Sequence, residues 1–265
     1  MLDKFNIIDC HAHYDDEAYD DDREIVLEDI KKNGVSKILD CASSYESLDK
    51  VDFLTKKYDF ILGALGIHPE NALEMNEDVC LKIENMIKEN DKIVAIGEIG
   101  LDYHYEENPE KEIQKKVFIR QMQLAEKLNM PVIIHDRDAH KDTLDIMKQF
   151  KNVTGEVHCF SGSVEFAKEC IKLGYYIGFT GVVTFKNAKK AVYVAREIPL
   201  EKILVETDCP YMSPEPNRGK RNKSDYIEFI IRKIAEIKNI DPYKANLQFN
   251  SNFYSLIKKG IKGKI

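Results

Sequence analysis

No apolar run in this sequence approaches the length needed to cross a bilayer. No CxxC pair occurs among its six cysteines, Cys10, Cys41, Cys80, Cys159, Cys170 and Cys209. Scattered thiols of this kind read as small buried hydrophobes rather than as a disulfide framework. The N-terminus lacks the pattern of a secretory signal, so a reducing, cytoplasmic setting is expected. A basic excess is also missing: 39 Lys and Arg face 46 Asp and Glu, for a net charge of -7 and a pI near 5.6. That balance argues against a broad electrostatic grip on duplex DNA. It leaves room for a local basic loop that holds small anions or strand ends. Low-complexity linkers and sequence repeats are absent too. The 265 residues, 43% of them hydrophobic, suffice for one large core. A single domain over 1–258 is expected, with a lysine- and glycine-rich tail, 259–265, that frays.

What is present alternates. Strand-like runs occur at 7–13, 37–42, 60–67, 93–98, 131–135, 155–158, 175–179 and 202–208. Helical patterns stand between them, for example Ile25, Val26 and Ile30, then Leu48, Val51, Phe53 and Leu54. A final helical stretch carries Leu247, Phe253 and Leu256. Nearly continuous apolar strands argue for a parallel sheet covered by helices. Eight units in about 250 residues is the size of a (β/α)8 TIM-type barrel, an α/β fold. A doubly wound open sheet is the alternative. It would spread the strand ends along a line, whereas a barrel gathers them at one mouth.

The strand ends carry the chemistry. They are His11 and His13, His68, Glu98, His135, His158 and Asp208. A single histidine on an apolar strand is more often a hydrogen-bonded core residue. Five of the chain's seven histidines at strand ends reverse that expectation. Imidazoles and carboxylates around one mouth suit a pair of divalent metals. Strand alternation places Asp9, Glu156 and Glu206 inward, two residues below ligands, where Asp9 and Glu206 would orient histidines. Glu156 at that depth needs a partner that the sequence does not name. The same alternation turns Cys10, Cys159 and Cys209 toward the helix layer.

Several motifs resemble those of the TatD family of metal-dependent hydrolases. They are His11-Ala12-His13, Gly97-Glu98-Ile99-Gly100-Leu101-Asp102-Tyr103, Pro131 to Arg137, His158-Cys159-Phe160-Ser161-Gly162, and Val205 to Pro210. The resemblance runs from Asp9 to the loop Arg218-Gly219-Lys220-Arg221-Asn222. It departs at Lys141, where the family pattern has an acidic residue. The resemblance implies that His11, His13 and Asp208 hold one metal, that His135 and His158 hold the second, and that Glu98 bridges them. Asp208 and Glu98 are the implied catalytic residues, with Asp208 taking a proton from the attacking water. Zinc, manganese and magnesium remain open as the metal; many imidazoles favour the softer ions.

The expected activity is a TatD-type deoxyribonuclease that hydrolyses phosphodiester bonds, exonucleolytic on single-stranded DNA ends. His68, Tyr103, Arg137, Arg218 and Arg221 are its candidate substrate contacts. For His68, plain loop packing is an equal alternative. His104 is a further possible contact, and Phe160 and Tyr211 could stack a base. His140 is expected on the surface. A hydrolase of esters or amides, such as a D-aminoacyl-tRNA deacylase, is the first rival. A non-catalytic, metal-stabilised scaffold is the second. A nucleic-acid partner, no membrane and a possible monomer complete the expectations.

Overall fold

The computed structural model describes residues 5–260. Its strands are β1 (Ile7–Ala12), β2 (Val35–Cys41), β3 (Ile61–Leu65), β4 (Ile93–Asp102), β5 (Val132–Arg137), β6 (Gly155–Val157), β7 (Tyr176–Phe179) and β8 (Ile203–Val205). Each pairs in parallel with the next, in chain order. A bridge between Ala12 and Cys209 brings the end of the β8 segment back to β1. There the Asp208 N–H donates to the His11 carbonyl at 3.0 Å, and the His13 N–H to the Cys209 carbonyl at 2.9 Å. The sheet is therefore a nearly closed TIM barrel. The open-sheet alternative fails because its first and last strands would not meet.

Eight helices cover the barrel: α1 (Arg23–Lys32), α2 (Tyr45–Lys57), α3 (Glu77–Glu89), α4 (Lys111–Leu128), α5 (His140–Met147), α6 (Val164–Lys172), α7 (Lys189–Glu197) and α8 (Ile227–Lys238). Their starts follow ordinary capping chemistry. Ser44 and Ser47 form a reciprocal capping box at α2, and Asn76 accepts from the Val79 N–H at α3. Leu27, Ile30, Leu48 and Val51 are buried against the sheet. Ile25, Phe53 and Leu247, expected on apolar faces, are instead exposed, at 65%, 59% and 67%. A helix turns about 100° per residue, so a position beside a buried one can already face water.

Two apolar layers result. The larger lies between sheet and helices. The smaller fills the barrel and joins Ile8, Leu39, Ala64, Val94, Ile133 and Leu204 to one more helix, α9 (Pro242–Ile257). Phe253, Leu256 and Ile257 of α9 pack into it. The barrel's floor is thus a helix, and its reactive groups are confined to the other end. The chain next to α9 stays packed: Gly260 is buried, and the Lys259 ammonium donates to the Asn152 carbonyl at 3.1 Å. The rest of the stretch expected to fray, 261–265, lies outside the described residues. No helix among the described residues is long and apolar enough to cross a membrane.

Simple strand alternation misplaces three side chains. Cys10 packs inside the barrel with Ile8 and Cys41, not toward the helices. Asp9 accepts from Ser224 and Thr207, which belong to the segment that follows β8 rather than to the barrel interior. The cause is a register irregularity in β1 between Asp9 and Ala12, which resets which face each residue serves. Cys159 lies beyond the end of β6 with φ +43° and lines the mouth. Cys209 does face the outer layer.

Candidate metal centre

The ends of β1, β4, β5 and the segments after β3, β6 and β8 bring seven side chains together. Glu98 is at the centre, almost fully buried. Its Oε2 lies 3.3 Å from His11 Nε2 and 3.4 Å from His13 Nε2. Its Oε1 lies 2.7 Å from His158 Nε2, 2.9 Å from His135 Nδ1 and 3.6 Å from His68 Nε2. Asp208 Oδ1 completes the first group, 3.7 Å from His11 Nε2 and 3.5 Å from His13 Nε2. One carboxylate thus turns each of its oxygens to a separate set of imidazoles. Three overlapping sets have the spacing to hold an ion: His11, His13 and Glu98; His11, His158 and Asp208; His68, Glu98 and His135.

Second hydrogen bonds act on three of the five imidazoles, whereas His11 Nδ1 and His158 Nδ1 have none. His13 Nδ1 is 2.8 Å from the Cys41 carbonyl, so that nitrogen carries a proton and Nε2 is the one turned to Glu98. His135 Nε2 is 3.0 Å from Asp102 Oδ2, which fixes the ring so that Nδ1 is the nitrogen turned to Glu98. His68 is arranged the other way. Its Nδ1 accepts from the Glu70 N–H at 3.2 Å, so a neutral ring points an N–H at Glu98. His68 therefore stands among the ligand-spaced residues but is set up to donate a hydrogen bond.

Charge follows the same pattern. Burial raises the Glu98 carboxyl, but His158, His68 and His11 outweigh it and hold the group well below the usual carboxylate range. Burial also raises Asp208, and His13 and the neighbouring imidazoles bring it below its ordinary value. Burial lowers His13 and His135, yet Asp208 and Glu98 push His13 well up, and Asp102 and Glu98 push His135 to about 10. His11 falls to about 4, first by burial and then by the ring of His158, stacked at 3.9 Å. His68 falls to about 3 by burial and by His135. The carboxylates thus hold protons on His13 and His135, while His11 and His68 stay neutral. Divalent cations would answer the same pull by displacing the inward protons of His13 Nε2 and His135 Nδ1, which frees lone pairs for them.

The structure brings all six predicted ligands, His11, His13, Glu98, His135, His158 and Asp208, to one place. Of the predicted substrate contacts, His68 and Arg137 line the mouth, a hollow of about 780 Å³. Tyr103 does not; its hydroxyl donates to Asp142 at 2.9 Å. Arg218 and Arg221 line a neighbouring hollow, and Arg221 is paired with Asp22 at 2.6 Å. His104 is exposed and paired with Asp138, and His140 contacts Asp136.

Asp102, which orients His135, is missing from the sequence-derived set. Its signal was available, since β4 runs on past Glu98 through Asp102. Gly100 allows that extension: its φ is +144°, and a Cβ there would fall 2.0 Å from the His135 carbonyl. Glu156 and Glu206 both point inward beneath the cluster. Gly178 makes their space, because a Cβ would lie 2.6 Å from a carboxyl oxygen of each. Burial raises both, Glu156 to about 8.

Comparison with known proteins agrees with this geometry. The family model described as TatD related DNase matches residues 8–258. The metal-dependent hydrolase YabD of Bacillus subtilis is 44% identical over 236 residues, covering 88% of this chain and 92% of its own length. YcfH of Escherichia coli, also described as a metal-dependent hydrolase, is 35% identical over 240 residues, 88% of this chain and 89% of its own. The crystal structure of the TatD homologue YjjV from Escherichia coli superposes with a TM-score of 0.90 at 29% identity, over 97% of this chain and 99% of that one.

Proposed function

The chain belongs to the TatD related DNase family, and we propose that within it the protein is a metal-dependent deoxyribonuclease acting on single-stranded DNA ends. One observation carries the reading: Glu98 turns its two oxygens to two separate sets of imidazoles. His11, His13 and Asp208 would hold one divalent ion, His135 and His158 the other, with Glu98 shared. Bound ions would supply Lewis acidity and charge neutralisation toward a phosphodiester. Asp208, kept ionised and reached from the mouth, accepts the proton of the attacking water. His68 donates its Nε2 hydrogen to a phosphoryl oxygen. Arg137, stacked 4.7 Å from the Tyr105 ring and free of carboxylate partners among the described residues, faces the substrate from the mouth wall. Phe160 and Tyr211, also in the lining, offer flat faces to a terminal base.

One observation favours ester hydrolysis instead. Asp16, Glu17, Glu46 and Glu70 line the same mouth, and such a wall suits a cation like the α-ammonium of an aminoacyl ester. The test is direct. The metal-loaded protein and its Glu98→Gln and Asp208→Asn variants are offered single-stranded DNA, an aminoacyl-tRNA and a chromogenic phosphodiester. Metal-dependent cleavage of the DNA and the phosphodiester, lost in both variants, is the expected result. Intact DNA beside a cleaved aminoacyl ester would replace the nuclease by the deacylase. Tight metal binding with no turnover would leave the scaffold.

A further inference from the structure

Two hollows lie side by side at the C-terminal end of the barrel. One is the mouth over Glu98. The other, about 920 Å³, opens between the loop after β1 and the long loop after β8. Both are lined by Asp16, Glu17, Tyr211 and Met212. The Tyr211 hydroxyl donates to Asp16 at 3.0 Å at that shared boundary. The second hollow is therefore a continuation of the mouth beyond Tyr211.

Its outer wall is a built loop. Buried Asn222 donates from Nδ2 to the Thr207 carbonyl at 3.0 Å and to the Tyr211 carbonyl at 2.7 Å. The Ser213 hydroxyl donates to the Lys220 carbonyl at 2.7 Å. The Arg218 guanidinium lies 4.3 Å over the Phe185 ring, which fixes its plane. Other charges around the hollow are already satisfied: Arg221 pairs with Asp22, and Asp20 with Arg23 at 2.5 Å. Arg218 and Lys220 are exposed, and neither has an ion pair among the described residues. Asp16 and Glu17 stand at the boundary with the mouth, so an anion is directed to the loop wall and away from the divide.

We propose that this hollow is a phosphate subsite for single-stranded nucleic acid. Arg218 and Lys220 hold an internal phosphate of the strand while the terminal phosphodiester lies at Glu98 and Asp208. Tyr211, 56% exposed on the divide, supports the base between them. The inference rests on the phosphodiesterase reading above and deepens it: the preferred substrate is a polymer several nucleotides long. On a chain with net charge -7, such a grip is local and strongly salt-dependent.

The test uses metal-loaded protein and labelled phosphorothioate thymidylates of two and six nucleotides, read by fluorescence anisotropy. Wild type should bind the hexanucleotide at least about tenfold more tightly than the dinucleotide. In an Arg218→Gln, Lys220→Gln double variant, on exposed positions where folding is not at stake, that length advantage should disappear. The slope of log Kd against log salt for the hexanucleotide should become shallower by about 0.7, the value for one phosphate contact on a single strand. An unchanged length advantage and salt slope would overturn the subsite. Turnover of the chromogenic phosphodiester, measured alongside, separates the two ideas. If it proceeds while the double variant binds like wild type, the subsite alone fails; if it is absent, the underlying reading fails with it.

Discussion

His68 and His135 differ in which ring nitrogen is engaged behind them, and that sets apart two residues that otherwise look alike. His135 is backed by a carboxylate, which leaves Nδ1 to bind a cation once its proton is displaced, whereas His68 is backed by an N–H and presents a hydrogen. A His135→Gln variant should therefore lose metal, measured by elemental analysis after gel filtration, while His68→Gln should keep its metal and lose turnover. Metal loss in the His68 variant would make it a ligand and reverse this assignment. Asp102→Asn should weaken metal affinity about 10- to 100-fold through His135 alone, as read by competition with a chromogenic chelator. Deeper in the barrel, Glu156 shows how a buried carboxyl settles beside another. Its pKa rises from 4.5 to about 8, chiefly by burial and further by the charge of Asp9, with nearby Glu206 lowering it in part. A raised carboxyl contributes stability below its unfolded value, and that contribution is lost as pH climbs through the folded one. In metal-stripped protein, the melting temperature should fall between about pH 5 and pH 8, and Glu156→Gln should flatten that fall. An identical decline in both proteins would show that Glu156 is not the group responsible.

At the scale of elements, α9 does more than end the chain. Its Asn252 donates to the Leu200 carbonyl at 2.9 Å and the Ile203 carbonyl at 2.7 Å, so it satisfies backbone at the entrance to β8. Phe253 beside it is fully buried in the barrel's apolar interior. Phe253→Ala should cost about 3–5 kcal/mol, the range for opening a cavity at a large buried ring. Urea unfolding followed by circular dichroism would measure it. A loss below about 1 kcal/mol would mean that α9 is not the floor of the core. The β1 irregularity is a second element-level device. By resetting the strand's faces between Asp9 and Ala12, it lets Cys10 fill the interior while His11 still reaches Glu98.

Across the whole molecule, the metal centre joins the two ends of the barrel circuit. His11 and His13 come from the first strand and its exit, and Asp208 follows the last, with Glu98 and His135 from strands between them and His158 from just past the end of β6. Cations held there bind the folded chain and have no comparable site in the unfolded one, so they stabilise by mass action, about 2.7 kcal/mol at a hundredfold excess over Kd. A strong chelator should lower the melting temperature by several degrees, and added zinc or manganese should restore it. No change on chelation would argue that the site does not couple to folding. The acidic surface and the open mouth also fit a protein that grips only the part of its substrate near the chemistry.

Much of this was legible in the chain as written. The eight strands, their parallel order and the seven side chains that converge on one mouth follow from apolar runs that end in histidine or carboxylate, and such signals are local. The resemblance motifs lie on the same runs, so they carried the family with them. What the sequence could not contain are relations between residues far apart in it. Buried Glu156 has no hydrogen-bond partner for either oxygen and instead sits beside Glu206, fifty positions away, in space left by Gly178 on a third strand. His68 and His135 acquire opposite roles from a loop amide and from Asp102. The basic loop was expected at the metals, but folding set it in a second hollow behind Tyr211. Periodicity records which way a side chain faces along one element, and it fails at a register irregularity. Hydrogen-bond direction, pairing of buried charge and the division of a surface into hollows depend on what the other elements place opposite, and only the closed barrel decides that.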